Sequence, residues 1–507
     1  MTVSPWRRTL RLATIVGAAA AIVGVGVYLC ASQATLRLGF PLDDAWIHQT
    51  YARNLALNGE WAFVPGQASG GSTAPLWTVL LAIGARLGVD PKPWVYVLGT
   101  AALAAAAAAA VRVLHPRSAR SQGWVVWLGL VFALEWHLLW AAASGMEVIV
   151  LVALVVAVML LSLPTVRRPL LVGALVGAGL WIRPDAVSLG LIPLLSIAVR
   201  QDPSGRSRLA DLLRLAIGAA LLAGPYLLFN LGTAGTIWPS TFYAKQAEYA
   251  ELRQAPYLSR LLRLALSPLT GSGILLLPGV VLVVIQAIRD RRWGDLGPAA
   301  WVLIYLAVFA ALLPVAYQHG RYQIPVLPVV IIFGWQGIEQ AALGAGGPIS
   351  RALTRAWAAS TAIVTLLFAA LGARAYALDV AFIETEMVDA AQWIAANTES
   401  EALVAAHDIG ALGYFGQRPV LDMAGLADSQ VIPFLRDEAG LARYLTKAGA
   451  AYLMTFPGWY PSLTSCAEVV YKSDGSFSRQ QGGENLFVYR WPRPPVVAPE
   501  GCMLYSP

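Results

Sequence analysis

Residues 42–77 read LDDAWIHQTYARNLALNGEWAFVPGQASGGSTAPLW. Two adjacent carboxylates, Asp43 and Asp44, stand just after the first hydrophobic segment of the chain, residues 10–30. Ile47, Tyr51 and Leu55 then recur every four residues, a spacing that predicts an amphipathic helix able to lie on a bilayer surface. Asn58-Gly59 closes that helix with residues that tolerate a left-handed conformation. Residues 66–75 are rich in Gly, Ser and Thr and predict a loop. A polar, acidic loop needs a reason in a chain this apolar.

Of the 507 residues, 57% are hydrophobic and 13% charged, and the mean hydropathy is +0.61. A soluble domain carries about a quarter charged residues, so the composition predicts an integral membrane protein. Apolar runs of roughly 17–25 residues give about twelve candidate spans. They lie near 10–30, 75–89, 94–114, 123–143, 147–163, 168–183, 185–200, 209–231, 270–288, 299–317, 323–342 and 357–374. The first apolar run, about nineteen residues, exceeds the usual 7–15 of a cleaved signal and predicts a retained anchor. Residues 1–374 are thus read as the transmembrane domain, with its first extracytoplasmic loop at about 31–75, and 375–507 as a second domain.

Basic residues set the orientation. Arg7, Arg8 and Arg11 place the N-terminus in the cytoplasm, and Arg167-Arg168, Arg200 to Arg208, Arg289 to Arg292 and Arg351 to Arg355 fall on the same side. The net charge of +7 therefore belongs to loops beside the bilayer and calls for no nucleic acid. The opposite side receives the Asp43 loop, Ser144 to Glu147, Arg183 to Asp185, residues 235–245, Tyr317 to Arg321 and the C-terminal domain. Twelve spans would return that domain to the cytoplasm, so a further short or re-entrant pass is expected within 94–145, giving twelve or thirteen in all.

The C-terminal domain predicts a small α/β unit: helices over 385–397 and 437–446, and strands at 403–406, 420–422, 452–455, 469–471 and 486–490. Cys466 and Cys502 both fall there, either as a disulfide in an oxidising compartment or as two thiols. The chain has no P-loop, no dinucleotide-binding glycine pattern and no zinc-like His/Cys spacing, which disfavours a nucleotide-driven pump.

What remains is a set of polar groups expected at one membrane face, each with a plainer reading. Asp43 and Asp44 could cap the following helix, but one Asp would suffice for that. Glu147, after Ser144-Gly145-Met146, is either an interfacial anchor or functional. Arg183 and Asp185 flank Pro184 and either pair with each other or meet a ligand. Lys245 could snorkel to the interface. His319, Arg321 and Tyr322 open a span from the outer face, where loop cations are not expected, and favour anion binding.

These residues carry a resemblance. Leu42-Asp43-Asp44-Ala45-Trp46-Ile47, Tyr51 to Leu55 and the 65–77 loop resemble the first extracytoplasmic loop of GT-C fold glycosyltransferases, polytopic enzymes that use polyprenyl-phosphate-linked sugars. The bacterial branch of arabinofuranosyltransferases and protein-mannosyltransferase-like proteins is the nearest in flavour. Ser144-Gly145-Met146-Glu147, Arg183-Pro184-Asp185, Gly235 to Lys245 and His319 to Tyr322 match in order, covering about residues 40–330. The resemblance implies a mainly α, polytopic helix bundle with a small α/β extracytoplasmic domain, in the cytoplasmic membrane. It implies sugar transfer from a polyprenyl-phosphate donor to a glycan, lipid or protein hydroxyl. Asp43 would be the general base, with Asp44 left to cap a helix beginning at Ala45. Lys245, His319, Arg321, Tyr322, Arg183, Asp185 and Glu147 would surround the donor phosphate or substrate. No cofactor is certain; a divalent metal is possible, although the metal-dependent members use more acidic ligands than are placed here. The rival reading is a transporter or flippase of lipid-linked sugars. It is disfavoured because the acidic groups sit at span ends rather than at the midplane, and no repeat relates two halves.

Overall fold

A computed structural model of the chain describes residues 5–114, 122–163, 166, 168–199 and 207–492. Two compact units emerge: residues 1–30, 96–226 and 252–374 form the first, and 31–95, 227–251 and 375–507 the second. The boundary expected at 374/375 is the start of the last segment of the second unit, which also gathers the Asp43 loop and residues 227–251.

The chain is a multi-pass membrane protein with a helical bundle. Among the described residues six helices are long and apolar enough to span: Trp6–Thr35, Pro91–Leu114, Arg208–Ala234, Trp293–Leu312, Tyr317–Gly344 and Pro348–Asn397. Two bent pairs could serve as two more. Gly123–Ala133 and Trp136–Ala143 meet at 51°, inside the stretch where an extra short pass was expected. Tyr257–Leu269 and Gly273–Arg289 meet at 105°. Four other expected spans are shorter apolar helices, Pro75–Arg86, Val148–Leu161, Pro169–Leu180 and Pro184–Ala198. At 1.5 Å per residue none of these reaches across about 30 Å of hydrocarbon unaided.

In the first unit, close backbone approach holds helices together where apolar side chains gain little from leaving lipid. A Cβ on Gly173 would strike the Leu215 carbonyl, and one on Gly177 the Ala219 carbonyl. Gly279 lies likewise against Gly334 and Gly337. Helix Pro169–Leu180, fixed by its glycines, ends just before Arg183 and delivers that side chain into the bundle.

In the second unit, all five strands expected at the C-terminus are present. After a short hairpin of β1 (Ala62–Val64) and β2 (Gln67–Ala68) come β3 (Val404–Ala406), β4 (Val420–Asp422), β5 (Tyr452–Thr455), β6 (Glu468–Lys472) and β7 (Phe487–Arg490). The last five form one sheet in the order β4-β3-β5-β7-β6, with β3 parallel to β4 and β5, and β7 antiparallel to β5 and β6. Helix Glu438–Ala448 packs Leu441 and Leu445 onto Ala405, Leu453 and Tyr489. The helix expected over 385–397 forms as a π turn, Glu384–Val388, continuing into Asp389–Asn397. Cys466 is buried; its expected partner Cys502 lies outside the described residues, as do Arg167, Arg200 and residues 201–206 of the expected cytoplasmic loops.

The Asp43 loop belongs to this unit and corrects two expectations. The helix runs Asp44–Asn58, with Gly59 in the left-handed closing position as expected. It does not lie on a bilayer surface: Ile47 and Tyr51 are buried, and so are most residues around them. Its faces are covered by helix Pro75–Arg86 and by Gly410–Phe415. Trp46 packs against Phe40, Tyr414 and Phe415 with ring centroids 4.6–5.0 Å apart. The second correction concerns the cap. Asp43, not Asp44, occupies the capping position, and its carboxylate makes no bond to its own helix.

Candidate functional site

Asp43 turns instead to the C-terminal segment. Its Oδ2 accepts the backbone N–H of Gly410 at 2.6 Å and its Oδ1 that of Ala411 at 2.8 Å. A Cβ on Gly410 would run into the Asp43 backbone, so glycine permits the approach. Further bonds fix the loop in this register. Arg53 donates to the carbonyls of Tyr414 and Gly413 at 2.7 and 2.9 Å. Arg37 reaches Glu384 and Asp389, each at 2.6 Å, and Lys92 lies 3.6 Å from Glu384. Burial, then the neighbouring Asp408 carboxylate, raise the proton affinity of Asp43 well above the ordinary carboxylate range, against the pull of the two N–H groups.

Helix Ser240–Glu248 brings two more charges to the same unit. Ser240 donates to the Leu426 carbonyl at 2.6 Å and Thr241 to that of Gly71 at 3.1 Å, which seats the start of the helix. Lys245 and Glu248 stand three positions apart on one face and each meets an opposite partner of the same unit. Lys245 Nζ lies 3.5 Å from Asp44 Oδ2. Glu248 Oε1 lies 3.6 Å from His407 Nε2, and His407 Nδ1 lies 2.7 Å from the Tyr460 hydroxyl. Burial alone would lower the His407 pKa; the Glu248 bond and the nearby Asp408 and Asp422 carboxylates outweigh it and raise it. Burial likewise opposes ionisation of Glu248, yet His407 and Lys245 hold it below the usual carboxylate value. Both shifts favour the charged forms of the pair. Asp408 is raised, by burial first, with Asp44 and Glu248 adding to it against His407 and Lys245.

The remaining expected site residues lie in the first unit, where Glu147, Arg183, Asp185, Arg321 and Tyr322 form one largely buried network. Arg183 grips Asp185 through two bonds, at 2.9 and 3.2 Å, and Glu147 at 3.4 Å. The Tyr305 hydroxyl lies 2.7 Å from Asp185 Oδ2 and 2.8 Å from the Tyr322 carbonyl. Arg183 and Arg321 both stack on the Tyr322 ring, at 5.3 and 5.0 Å from its centroid, and Arg321 also bonds its hydroxyl at 3.2 Å. His319 has positive φ and stands edge-on to Trp136 and Trp140, each 5.4 Å away. Beside it Glu135 accepts from Leu138 N and pairs with His137 at 2.7 Å, both side chains buried at the 51° break.

So Asp43, Asp44 and Lys245 share one unit, and Glu147, Arg183, Asp185, His319, Arg321 and Tyr322 share the other. The sequence reading missed Glu248, His407, Asp408 and Tyr460 in the second unit, and Tyr305, Glu135 and His137 in the first. One signal was available: His407-Asp408 directly follows the expected strand 403–406. Among the described residues no group of three or more His, Cys, Asp or Glu side chains is placed to hold a metal ion.

Comparison with known proteins bears on the fold. ArnT from Cupriavidus metallidurans, solved bound to undecaprenyl phosphate, superposes with a TM-score of 0.60 at 16% identity, over 92% of this chain and 97% of that one. Its apo form gives a TM-score of 0.55. The Archaeoglobus fulgidus oligosaccharyltransferase gives 0.53 at 11% identity, over 87% of this chain and 69% of that one. This chain has the GT-C fold. Residues 355–489 also match a family model described as a domain of unknown function, DUF8728. No curated protein matches the chain.

Proposed function

We propose that this protein is a GT-C glycosyltransferase that moves a sugar from a polyprenyl-phosphate donor to an acceptor hydroxyl. The reaction takes place at the outer face of the cytoplasmic membrane, and the acceptor is a glycan, lipid or protein. The GT-C fold, shared with a protein solved with undecaprenyl phosphate and with an oligosaccharyltransferase, supports the donor class. The observation that carries the mechanism is Asp43: a buried carboxylate of raised proton affinity, held rigid by two backbone N–H groups.

A base works best when its pKa lies near the operating pH, and burial moves Asp43 in that direction. Each of its oxygens has a second lone pair beyond the one facing an N–H. In the proposed step Asp43 takes the proton of the acceptor hydroxyl as that oxygen attacks the anomeric carbon. The bond from that carbon to the phosphate oxygen breaks, polyprenyl phosphate leaves with the electron pair, and the configuration inverts. Lys245, in the same unit as Asp43, is the cation proposed to offset the leaving phosphate charge. In the first unit Arg183 and Arg321, stacked on Tyr322 and with Arg183 paired to Asp185 and Glu147, are proposed with His319 as further donor-binding groups.

The test is purified protein in lipid nanodiscs with polyprenyl-phosphate-linked sugars. Release of free polyprenyl phosphate dependent on an acceptor supports the reading. Translocation of the intact lipid-linked sugar without release would replace it with a flippase.

A further inference from the structure

The small sheet of the second unit has a feature that the proposed chemistry does not use. β3, β4 and β5 run parallel; the chain passes from β3 to β4 on one flank and then returns from β4 past β3 to β5 on the other, so the direction of winding reverses at β3. In open α/β sheets ligands bind outside the carboxyl ends of strands at such a switch point, because the diverging connections leave a crevice there. His407 and Asp408 directly follow β3 at that end. Asp422 ends β4 and is consumed locally, accepting the N–H groups of Ala424, Ala427 and Asp428. Beyond β5 the chain turns through Pro457–Trp459 to Tyr460.

The side chains gathered there combine three chemistries. His407 is held between Tyr460 and Glu248, and its side chain remains 13% exposed and that of Glu248 21%. Lys245 and Asp44 add a second ion pair that is also partly open. Trp459 is 49% exposed and stands edge-on to His407, with centroids 5.2 Å apart at 80°. An exposed indole beside a row of partly open donors and acceptors suits a ligand with one C–H face and many hydroxyls. Beside His407 the Glu248 and Asp408 carboxylates would repel an anion.

We propose that this crevice is a sugar-binding subsite that takes a neutral glycosyl unit, with His407 and Glu248 bonding its ring hydroxyls and Trp459 covering its C–H face. The inference deepens the transferase reading and rests on it for its place in catalysis. The bound unit belongs either to the lipid-linked donor or to a glycan acceptor.

The experiment uses the full chain in nanodiscs, with methyl α-D-mannopyranoside and methyl α-D-arabinofuranoside as probes in saturation-transfer NMR. Wild-type protein is expected to transfer magnetisation to ring protons of at least one probe. Trp459→Ala and His407→Gln are each expected to weaken that binding about tenfold or more with the unfolding temperature unchanged. No transfer to either probe, or binding retained in both variants, overturns the proposal. If both variants instead unfold, Trp459→Phe decides: it keeps an aromatic face, and binding lost in it at wild-type stability also counts against a stacking role. In the transfer assay a rise in KM for the donor alone assigns the donor sugar, and a rise for the acceptor alone assigns the acceptor. Unchanged KM for both overturns the catalytic placement. Absence of polyprenyl phosphate release by wild-type protein that still binds the glycosides would defeat the transferase reading while leaving the subsite standing.

Discussion

Asp43 and Gly410, 367 positions apart in sequence, are joined by a 2.6 Å hydrogen bond from a backbone N–H to a buried carboxylate. The bond ties the candidate base to the turn that carries His407 and Asp408. Changes at Asp43 should therefore be read for geometry as well as for proton transfer.

Asp43→Asn keeps the size of the side chain but sets an amide NH2 against one of two N–H donors. Turnover is expected to fall about a hundredfold to ten-thousandfold, the usual loss with a general base, and the unfolding temperature to drop. Donor affinity should change little. Asp44→Asn removes only the partner of Lys245 and should cost less turnover. The reverse order of the two losses would transfer the role of base to Asp44.

The pH dependence of kcat/KM has a predicted sign on both sides. Asp43 must be ionised to accept a proton, and its pKa is raised, so activity should rise with pH through a limb above the ordinary carboxylate value of about 4. His407 is raised too. The stability of its ion pair with Glu248 is full below the ordinary histidine pKa of about 6.5 and is lost as pH rises through the higher folded value. Activity and thermal stability should therefore both decline on the alkaline side. An acidic limb near 4, or an alkaline limb unaltered in His407→Gln, would contradict the assignment.

Removing Lys245 or Arg321 as alanine should weaken donor binding by a few kcal/mol at most, with a smaller effect on acceptor KM. Calorimetric titration with a polyprenyl phosphate would measure it. Unchanged donor affinity in both variants would remove these cations from the phosphate site.

Arg183 is 6% exposed and balances Asp185 and Glu147. Arg183→Met leaves the buried Glu147 and the partly buried Asp185 without their cation, which should destabilise the protein by up to roughly 3–5 kcal/mol, the cost of breaking a buried pair. Thermal unfolding in detergent tests this. A loss of activity at unchanged stability would mean that the arginine acts on the ligand rather than on the fold.

A reporter fused after Pro507 should read extracytoplasmic, as the arginine asymmetry of the loops requires. A cytoplasmic signal would put the second unit, and Asp43 with it, on the side away from the proposed donor.

Much of this molecule was written in local sequence. Apolar runs marked the helices because burial from water acts residue by residue along a segment, and short strand-like stretches marked all five C-terminal strands. Gly59 closed its helix where the sequence said it would, whereas the Arg-Pro-Asp spacing left pairing of Arg183 with Asp185 as one of two readings, and the structure shows the pair. What sequence alone could not decide was which segments share a neighbourhood. An apolar stripe such as Ile47 and Tyr51 looks the same whether a bilayer or a protein covers it, and here Trp46, Tyr51 and their neighbours are sealed in protein. The partners of Asp43 are backbone N–H groups, which every residue but proline carries, so no side-chain pattern announces them. His407 and Glu248 lie 159 residues apart by number and acquire their charge states only once burial and proximity act on them together. Composition and periodicity thus fixed the class of protein and its elements. Only the tertiary structure joined an acidic loop, a short helix carrying Lys245 and Glu248 and the end of a parallel strand into one electrostatic site, because pKa and affinity depend on distance in space, not on distance along the chain.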